Sequence, residues 1–258
     1  MEDVQSQPDH RGIALDRVGV SGVRLPVVAE GQRTVAIADL AVSVPAETKG
    51  AHMSRFLEVV EPHRELLSLA RLPLLLRDVR AVLEADHAEV AFRFPYFVAK
   101  KAPVSKATGW ADVEASLEGS LGAELSLTLG AVVPVTSLCP CSKAISDYGA
   151  HNQRGYVHLD VTPRIDAQGT AAPLTIADLV RVAEENASAP VYPLLKRPDE
   201  RHVTMQAYDN PVFVEDIARG VALALREDPR VAAARVRVVN QESIHNHDAF
   251  AEVSWTRT

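Results

Sequence analysis

Cysteine is almost missing from this chain: 258 residues contain two, Cys139 and Cys141. A disulfide framework is therefore excluded, and any single bridge would have to join two residues one apart, with unusual backbone geometry and an oxidising compartment. Aromatic residues make up only 5%, so the core must be built mainly from Val, Leu and Ala. No apolar run comes near the ~20 residues that span a bilayer; the longest near-continuous one is Leu72–Leu76. A basic excess is also lacking. The formal charge of −7 argues against a general nucleic-acid binder and against no more than that, since a local basic cluster can still hold one anionic ligand. The opening, MEDVQSQPDHRG, has neither the basic start nor the apolar stretch of a secretory signal. The expectation is a cytoplasmic protein with residues 1–12 mobile.

What remains is an ordinary globular composition, 47% hydrophobic and 24% charged, with length for one large domain or two small ones. Weak alternation over residues 13–48, broken at Gly31, predicts a β-hairpin, followed by a polar connection through ETKGAHMSRF. Residues 64–86 read as helical, with Leu66, Leu67, Leu69 and Ala70 on one face. Pro73 then suits the first turn of a second helix. Glu89–Ala99 and Trp110–Leu129 alternate as strands. The order is two strands, two helices, two strands.

The second half repeats it. Leu125–Val135 and Tyr156–Val161 read as strands, and Thr175–Ala187 as a helix capped by Thr175 with Asp178 three residues on. Asn210–Arg226 reads as a helix capped by Asn210 with Pro211 at its first position, and Val231–Val239 and Ala249–Trp255 close the chain as strands. Gly50–Arg55 also matches Gly149–Arg154 at four of six positions. Together these suggest a duplicated module, divided as residues 13–122 and 123–258. The second half differs by a long stretch, Ser188–Asp209, read as irregular and charged; connections of that length are usually functional or disordered.

The chemistry concentrates in PVTSLCPCSKAISDYGAHNQRG, residues 134–155. Both thiols stand as Cys-x-Cys, with His151 ten residues after Cys141. Thiolate and imidazole are the usual ligands of a borderline-soft divalent metal, and Glu200 offers a carboxylate to complete the set. Two inert buried cysteines is the competing reading. Three protein ligands plus an open position would be the catalytic arrangement; four would be a closed one. Glu215, in the first turn of the last helix, could accept from two adjacent N–H donors such as a guanine edge, or simply favour the helix N-terminus. Glu242, His245 and His247 share a turn and have proton-transfer chemistry near neutral pH, unless that turn is plain surface. Lys143, Arg154, Lys196, Arg197 and Arg201 lie around the same motifs, a local reversal of the acidic balance that points to a phosphate ester.

Four blocks, PVTSLCPCSKAISDYGAHNQRG, LLKRPDERHVT, NPVFVED and ESIHNHDA, resemble those of the type IB GTP cyclohydrolases and occur in that family's order, from about residue 30 to the C-terminus. The resemblance implies an α+β tunnelling fold: two tandem modules per chain, each an antiparallel β-sheet with two α-helices packed on one face, assembled as a homotetramer. It implies conversion of GTP and water to 7,8-dihydroneopterin triphosphate and formate, the first step of tetrahydrofolate biosynthesis. It further implies a divalent metal (Zn, Mn or Fe) on Cys139, Cys141, His151 and Glu200. Glu215, Lys196 and Arg197 would bind substrate, and Cys139, Glu242, His245 and His247 would act in catalysis. Ala144 departs from the glutamate expected there. A nitrile reductase of the same fold and a non-catalytic metal-binding protein are the rival readings. The first would need a Lys-rich nucleotide motif that ETKGAHMSR does not match.

Overall fold

The computed structural model describes residue 5 and residues 7–257. In chain order its elements are β1 (Leu15–Ala29), β2 (Gln32–Val44), α1 (Met53–Val60), α2 (Leu72–Leu83), β3 (Ala88–Lys101), β4 (Thr108–Leu121), β5 (Leu125–Leu138), α3 (Pro140–Ile145), β6 (Asn152–Pro163), α4 (Ile176–Glu185), β7 (Ala189–Pro190), α5 (Arg197–Asp209), α6 (Val214–Glu227), β8 (Val231–Gln241) and β9 (Ala249–Thr256). The fold class is α+β with antiparallel sheet, as the sequence predicts. No helix among the described residues is long and apolar enough to cross a membrane.

The chain divides into two compact units. The first holds residues up to Pro95 with Ser116–Thr128 and Ile165–Pro173. Here β1 and β2 form the expected hairpin, Ala29 opposite Gln32. Its two turn residues, Glu30 and Gly31, both take positive φ, 48° and 81°, the backbone that matches strand twist in a two-residue turn. The glutamate carries that strain because it is anchored: its N–H donates to Leu67 O at 2.9 Å and its carboxylate accepts from Leu69 N–H at 3.3 Å. β2 then pairs with β3, Ile37 opposite Arg93. The alternation separates two faces. Ala36, Ala38, Leu40, Val42, Val90, Phe92 and Phe94 are buried, while Asp39–Arg93 at 2.6 Å and Arg17–Glu89 at 2.7 Å pair on the other face. Phe56 and Val60 of α1 and Leu72, Leu75, Leu76 and Val79 of α2 join the core.

Two readings in this unit are corrected. The first helix lies at Met53–Val60, inside the stretch read as a polar connection, and residues 61–66 form a 3-10 turn. Met53, Phe56, Leu57 and Val60 have helical spacing, but over eight residues the pattern is too short to stand out. Leu67 cannot be helical, because its N–H and C=O are spent on Val28 and Glu30. Residues 1–4 and 6 of the segment expected to be mobile lie outside the described residues; within it, Asp9 N–H donates to Glu47 O at 2.9 Å and Lys49 N–H to Gln7 O at 3.2 Å.

The second unit holds Tyr96–Ala115, Leu129–Arg164 and Leu174–Thr258. Its sheet runs β5-β6-β8-β9, all antiparallel, with β7 on β5. Val133, Val135, Val157, Leu159, Val236 and Val238 form the buried face, met by Ile176, Leu179 and Ala183 of α4 and by Ile217, Val221 and Leu225 of α6. The Thr175–Asp178 capping box is present. Asn210 does not cap the last helix. It ends α5, donating Nδ2–H to Ala187 O at 2.9 Å, and α6 begins at Val214 with Asp216 accepting from Phe213 N–H at 3.1 Å. Ser188–Asp209 is likewise not irregular, since most of it is α5. That helix buries only Asp199 and Ala207, so no apolar stripe announces it. The six-residue match also falls at unlike places: Gly50–Arg55 leads into helix α1, and Gly149–Arg154 into strand β6.

Arg230 clasps Asp228 at 2.7 Å and Asp178, the α4 capping carboxylate, at 3.1 Å. The guanidinium holds Asp228 below its ordinary range. Burial opposes charge on Asp178, but Arg230 and Thr175 outweigh it and lower that pKa too. A carboxylate lowered on folding contributes stability above its unfolded pKa and loses it as pH falls through the folded value. Arg230→Met is therefore expected to cost about 1 kcal/mol at pH 7, given the partial exposure of the cluster. In urea unfolding the gap from wild type should close as pH drops below about 4, the unfolded range of Asp; a gap constant down to pH 2.5 would contradict this.

Candidate active site

The site is built where the β5–β6 ladder ends. Leu138 pairs with Asn152, and one step further Cys139 N–H donates to His151 O at 3.2 Å. The thiol and the imidazole are thus carried by facing residues on adjacent strands. Cys139 also caps α3, its sulfur accepting from Ser142 N–H at 3.4 Å, with Pro140 in the first turn where a missing N–H costs nothing. Ser142 closes the loop: its hydroxyl donates to Cys139 O at 3.2 Å and accepts from His151 N–H at 3.1 Å. Both cysteines are free thiols, Cys141 exposed on α3 and Cys139 half-buried.

The imidazole is oriented from the opposite side. Its Nδ1 lies 2.9 Å from the Ser243 hydroxyl, which leaves Nε2 as the open nitrogen. A ring held at one nitrogen and open at the other is the usual state of a metal-ligating histidine. Ser243 belongs to the β8–β9 connection, so the same bond brings the acid–histidine turn to His151. In that turn Glu242 meets His245 Nδ1 at 3.3 Å, and the His245 and His247 rings stack with centroids 5.2 Å apart.

Beneath these groups lies a buried polar floor. Asn240 Nδ2–H donates to Ser137 Oγ at 2.9 Å, and Ser137 Oγ–H donates to Val212 O at 3.0 Å. Asn240 on β8 reaches β5 by passing over Gly155 of β6, its register partner. A Cβ on Gly155 would stand 2.8 Å from Asn240 Oδ1 and 3.0 Å from Val135 Cγ2. Gln153, cross-strand from Ser137, is buried beside them. Gln153 Oε1 and Asn240 Oδ1 are buried with no donor among the described residues.

The other expected residues are placed separately. Glu215 stands exposed in the first turn of α6. Glu200, exposed on α5, is paired with Arg197 at 2.8 Å. Lys196 caps α5, and Arg197 is exposed. α5 is joined to the cysteine helix at its other end, where Lys143 donates to Tyr208 O and lies 4.1 Å from the Tyr208 ring centre. Glu200 is eight residues from Tyr208, about 12 Å along the helix. Among the described residues no three His, Cys, Asp or Glu side chains form a group able to hold a metal ion. The donor chemistry of Cys139, Cys141 and His151 suits one, and Cys139 and His151 face each other through their backbones, but the side chains are not gathered into a metal-holding group, and Glu200 is not brought to them.

Sequence reasoning missed Ser137, Gln153, Asn240 and Asp199. Each is polar and buried, and all four lie within two residues of an expected site residue, which is the only signal the sequence offers for them. Asp199 is held by four donors, with Ser105 Oγ at 2.5 Å and the N–H groups of Ser105, Val104 and Lys196 each at 2.8 Å. Burial opposes its charge, but those donors outweigh it and keep its pKa well below the usual carboxylate range.

Gly155→Ala should force Asn240 off Ser137 and cost about 1–3 kcal/mol, the range for overpacking. In an Asn240→Ala background the same change should cost less than half as much, because residues sharing one contact are not additive. Urea unfolding of the four proteins of the cycle measures this; full additivity would contradict the floor.

The family model described as "Type I GTP cyclohydrolase folE2" matches residues 1–251. The chain is 46% identical over 260 residues to GTP cyclohydrolase FolE2 1 of Dechloromonas aromatica (strain RCB), covering 98% of this chain and 95% of that protein. It is also 46% identical over 257 residues to GTP cyclohydrolase FolE2 of Methylococcus capsulatus, covering 97% and 93%. Among solved structures, the fold resembles uricase from Arthrobacter globiformis (TM-score 0.54, 10% identity, 94% of this chain and 93% of that one). Uricase from Bacillus fastidious is similar as well (TM-score 0.55, 12% identity, 96% and 94%). At such identities the likeness concerns the fold alone. The four sequence blocks, the paired Cys139 and His151 and the nearly full-length match agree, and the chain belongs to the type I GTP cyclohydrolase FolE2 family.

Proposed function

We propose that this protein is a metal-dependent GTP cyclohydrolase I, converting GTP and water to 7,8-dihydroneopterin triphosphate and formate at the entry to tetrahydrofolate biosynthesis. It works in the cytoplasm, as a homotetramer of tunnelling-fold chains with two modules each. Family membership supports the reaction. The observation that carries the site is the facing of Cys139 and His151 at the end of the β5–β6 ladder.

Cys139, Cys141, His151 and Glu200 are the residues that would hold a divalent ion, zinc, manganese or iron. Such an ion supplies Lewis-acid polarisation, which makes water nucleophilic near neutral pH. The rest of the work falls to the chain's own groups. Glu215, exposed at the start of α6, accepts from N1–H and the exocyclic amine of guanine and so fixes which ring atom faces the thiols. Lys196 and Arg197, at the start of α5, pair with the triphosphate. Water adds at C8 and the imidazole ring opens; a second hydrolysis releases formate; the ribose then rearranges and closes the new ring with loss of one water, so that one water is consumed overall. Each step moves a proton. His245, its Nδ1 held by Glu242, has Nε2 left to carry one, and His247 stacked on it offers a second site. Cys139 shares in these transfers.

The test is a chelator-stripped enzyme given back zinc, manganese or iron(II) and supplied with GTP, the product being oxidised, dephosphorylated and read as fluorescent neopterin. Wild type with metal should produce neopterin. Cys139→Ala and Glu200→Ala should lose at least about a hundredfold in kcat/KM, since even the outer partners of a metal ligand are worth 10–100-fold. No neopterin with any metal from folded protein would overturn the cyclohydrolase reading and call for a nitrile-reduction assay with a reduced nicotinamide.

A further inference from the structure

Five polar or charged residues are buried among the described residues, and four of them, Ser137, Gln153, Ser188 and Asn240, stand where the β5–β6 ladder ends. Three of the four are tied in. Asn240 Nδ2–H donates to Ser137 Oγ at 2.9 Å, Ser137 Oγ–H donates to Val212 O at 3.0 Å, and Ser188 Oγ accepts from Leu138 N–H at 2.9 Å. Gln153 is the exception. The residue is 9% exposed, and its Oε1 is enclosed with no donor among the described residues. Asn240 is 1% exposed, and its Oδ1 is in the same state. The register places these two oxygens together. Gln153 lies opposite Ser137 and Gly155 opposite Asn240, and residues 153 and 155 share one side of β6. The Asn240 amide lies over Gly155, whose Cβ would stand 2.8 Å from Oδ1. The two oxygens therefore occupy successive positions on one face of the strand.

Buried polar atoms in native proteins have partners with few exceptions, and each exception calls for a cause. Turning the Asn240 amide over does not supply a partner: the donation to Ser137 would be lost, and N–H groups would stand where Oδ1 stands now. Both oxygens accept and neither donates, so they call for a donor that carries two hydrogens. We propose that an internal water binds at this floor, donating one O–H to Gln153 Oε1 and the other to Asn240 Oδ1. Two polar partners are enough to hold a buried water. A cation suits the place less well. Hard cations gather about six or more oxygens, and the third oxygen of the floor, Ser137 Oγ, is already engaged as acceptor and as donor. The water has a structural task. Direct side-chain bonds join β5, β8 and the Val212 segment; through the water Gln153, two residues from His151, enters the same network. This water belongs to the floor, whichever reaction the site above it runs.

Crystals of the full-length wild type and of Gln153→Met, grown with rubidium as the only monovalent metal cation, provide the test. In the wild type, density for a single atom should lie within about 3.0 Å of both Gln153 Oε1 and Asn240 Oδ1, without anomalous signal at the rubidium edge. In Gln153→Met, where one acceptor is gone, that density should vanish. An ordered wild-type floor without the density would overturn the proposal, as would its persistence in Gln153→Met. A rubidium signal at the position would also overturn it, in favour of a cation. Urea unfolding of wild type, Gln153→Met, Asn240→Leu and the double variant runs beside the maps. No hydrogen bond joins the two side chains directly, so the shared water is what couples them. The double variant should lose clearly less in midpoint than the sum of the two single losses, as for residues that share a partner; full additivity would contradict the shared water. Should Gln153→Met not fold, the wild-type map alone decides.

Discussion

The hydrogen-bond chain from Asn240 through Ser137 to the carbonyl of Val212 joins three segments far apart in sequence, and each bears a site group close by. Ser137 is two residues before Cys139, Asn240 two before Glu242, and Val212 three before Glu215. Gln153, two after His151, is buried beside them. The thiol, the imidazole, the acid–histidine turn and the last helix are therefore placed by one buried polar contact set. The chain can exist only because β6 carries a glycine at 155, where any side chain would occupy the path of the Asn240 amide. Its energetic setting is mixed. Each internal hydrogen bond is worth about 0.5–1.5 kcal/mol net, while a buried acceptor without a donor costs about 1–3 kcal/mol. With no donor to Asn240 Oδ1 or Gln153 Oε1 among the described residues, the floor serves placement more than stability.

Positioning by polar contact recurs at α5. An apolar helix can slide or rotate slightly and still bury its stripe; a carboxylate with four donors has one place to be. The two ends of α5 are fixed by different chemistry, Asp199 at the start and the Lys143–Tyr208 contact at the finish. The second links the helix of Glu200 to the helix of Cys141. Elsewhere in the second unit, the sheet and helices α4 and α6 meet through ordinary apolar packing, which provides the rigid base on which these polar contacts act.

Much of this was readable in advance where periodicity is strong. The β1–β2 hairpin, strands β3, β5, β6, β8 and β9, the Pro73 helix and the Thr175–Asp178 cap all have signals that local physics makes unambiguous, whereas the Trp110–Leu129 reading runs past the end of β4 at Leu121 and across the turn into β5. Helix α1 was hidden because eight residues show too little periodicity, and α5 because what it buries is chiefly an aspartate. Asn210 misled because a residue that is good at starting a helix is also good at ending one, and Pro211 suits a linker as well as a first turn. Of the site, the pairing of Cys139 with His151 followed from their motif, but the register that makes them face each other belongs to the β5–β6 ladder. The buried residues below were not legible. Ser, Asn and Gln inside a sheet look in sequence like solvent-facing positions, and only the register shows which face they share. The exposure of Glu215 and the distance of Glu200 from the cysteine helix are likewise tertiary facts that no spacing encodes.

Whether the ladder end carries a thiolate–imidazole metal centre is tested most directly by X-ray absorption at the zinc edge of the metal-loaded protein. The expected result is sulfur scattering at about 2.3 Å together with nitrogen or oxygen at about 2.0–2.1 Å and the outer-shell pattern of an imidazole ring. A shell of oxygen and nitrogen alone, with no sulfur, would contradict it.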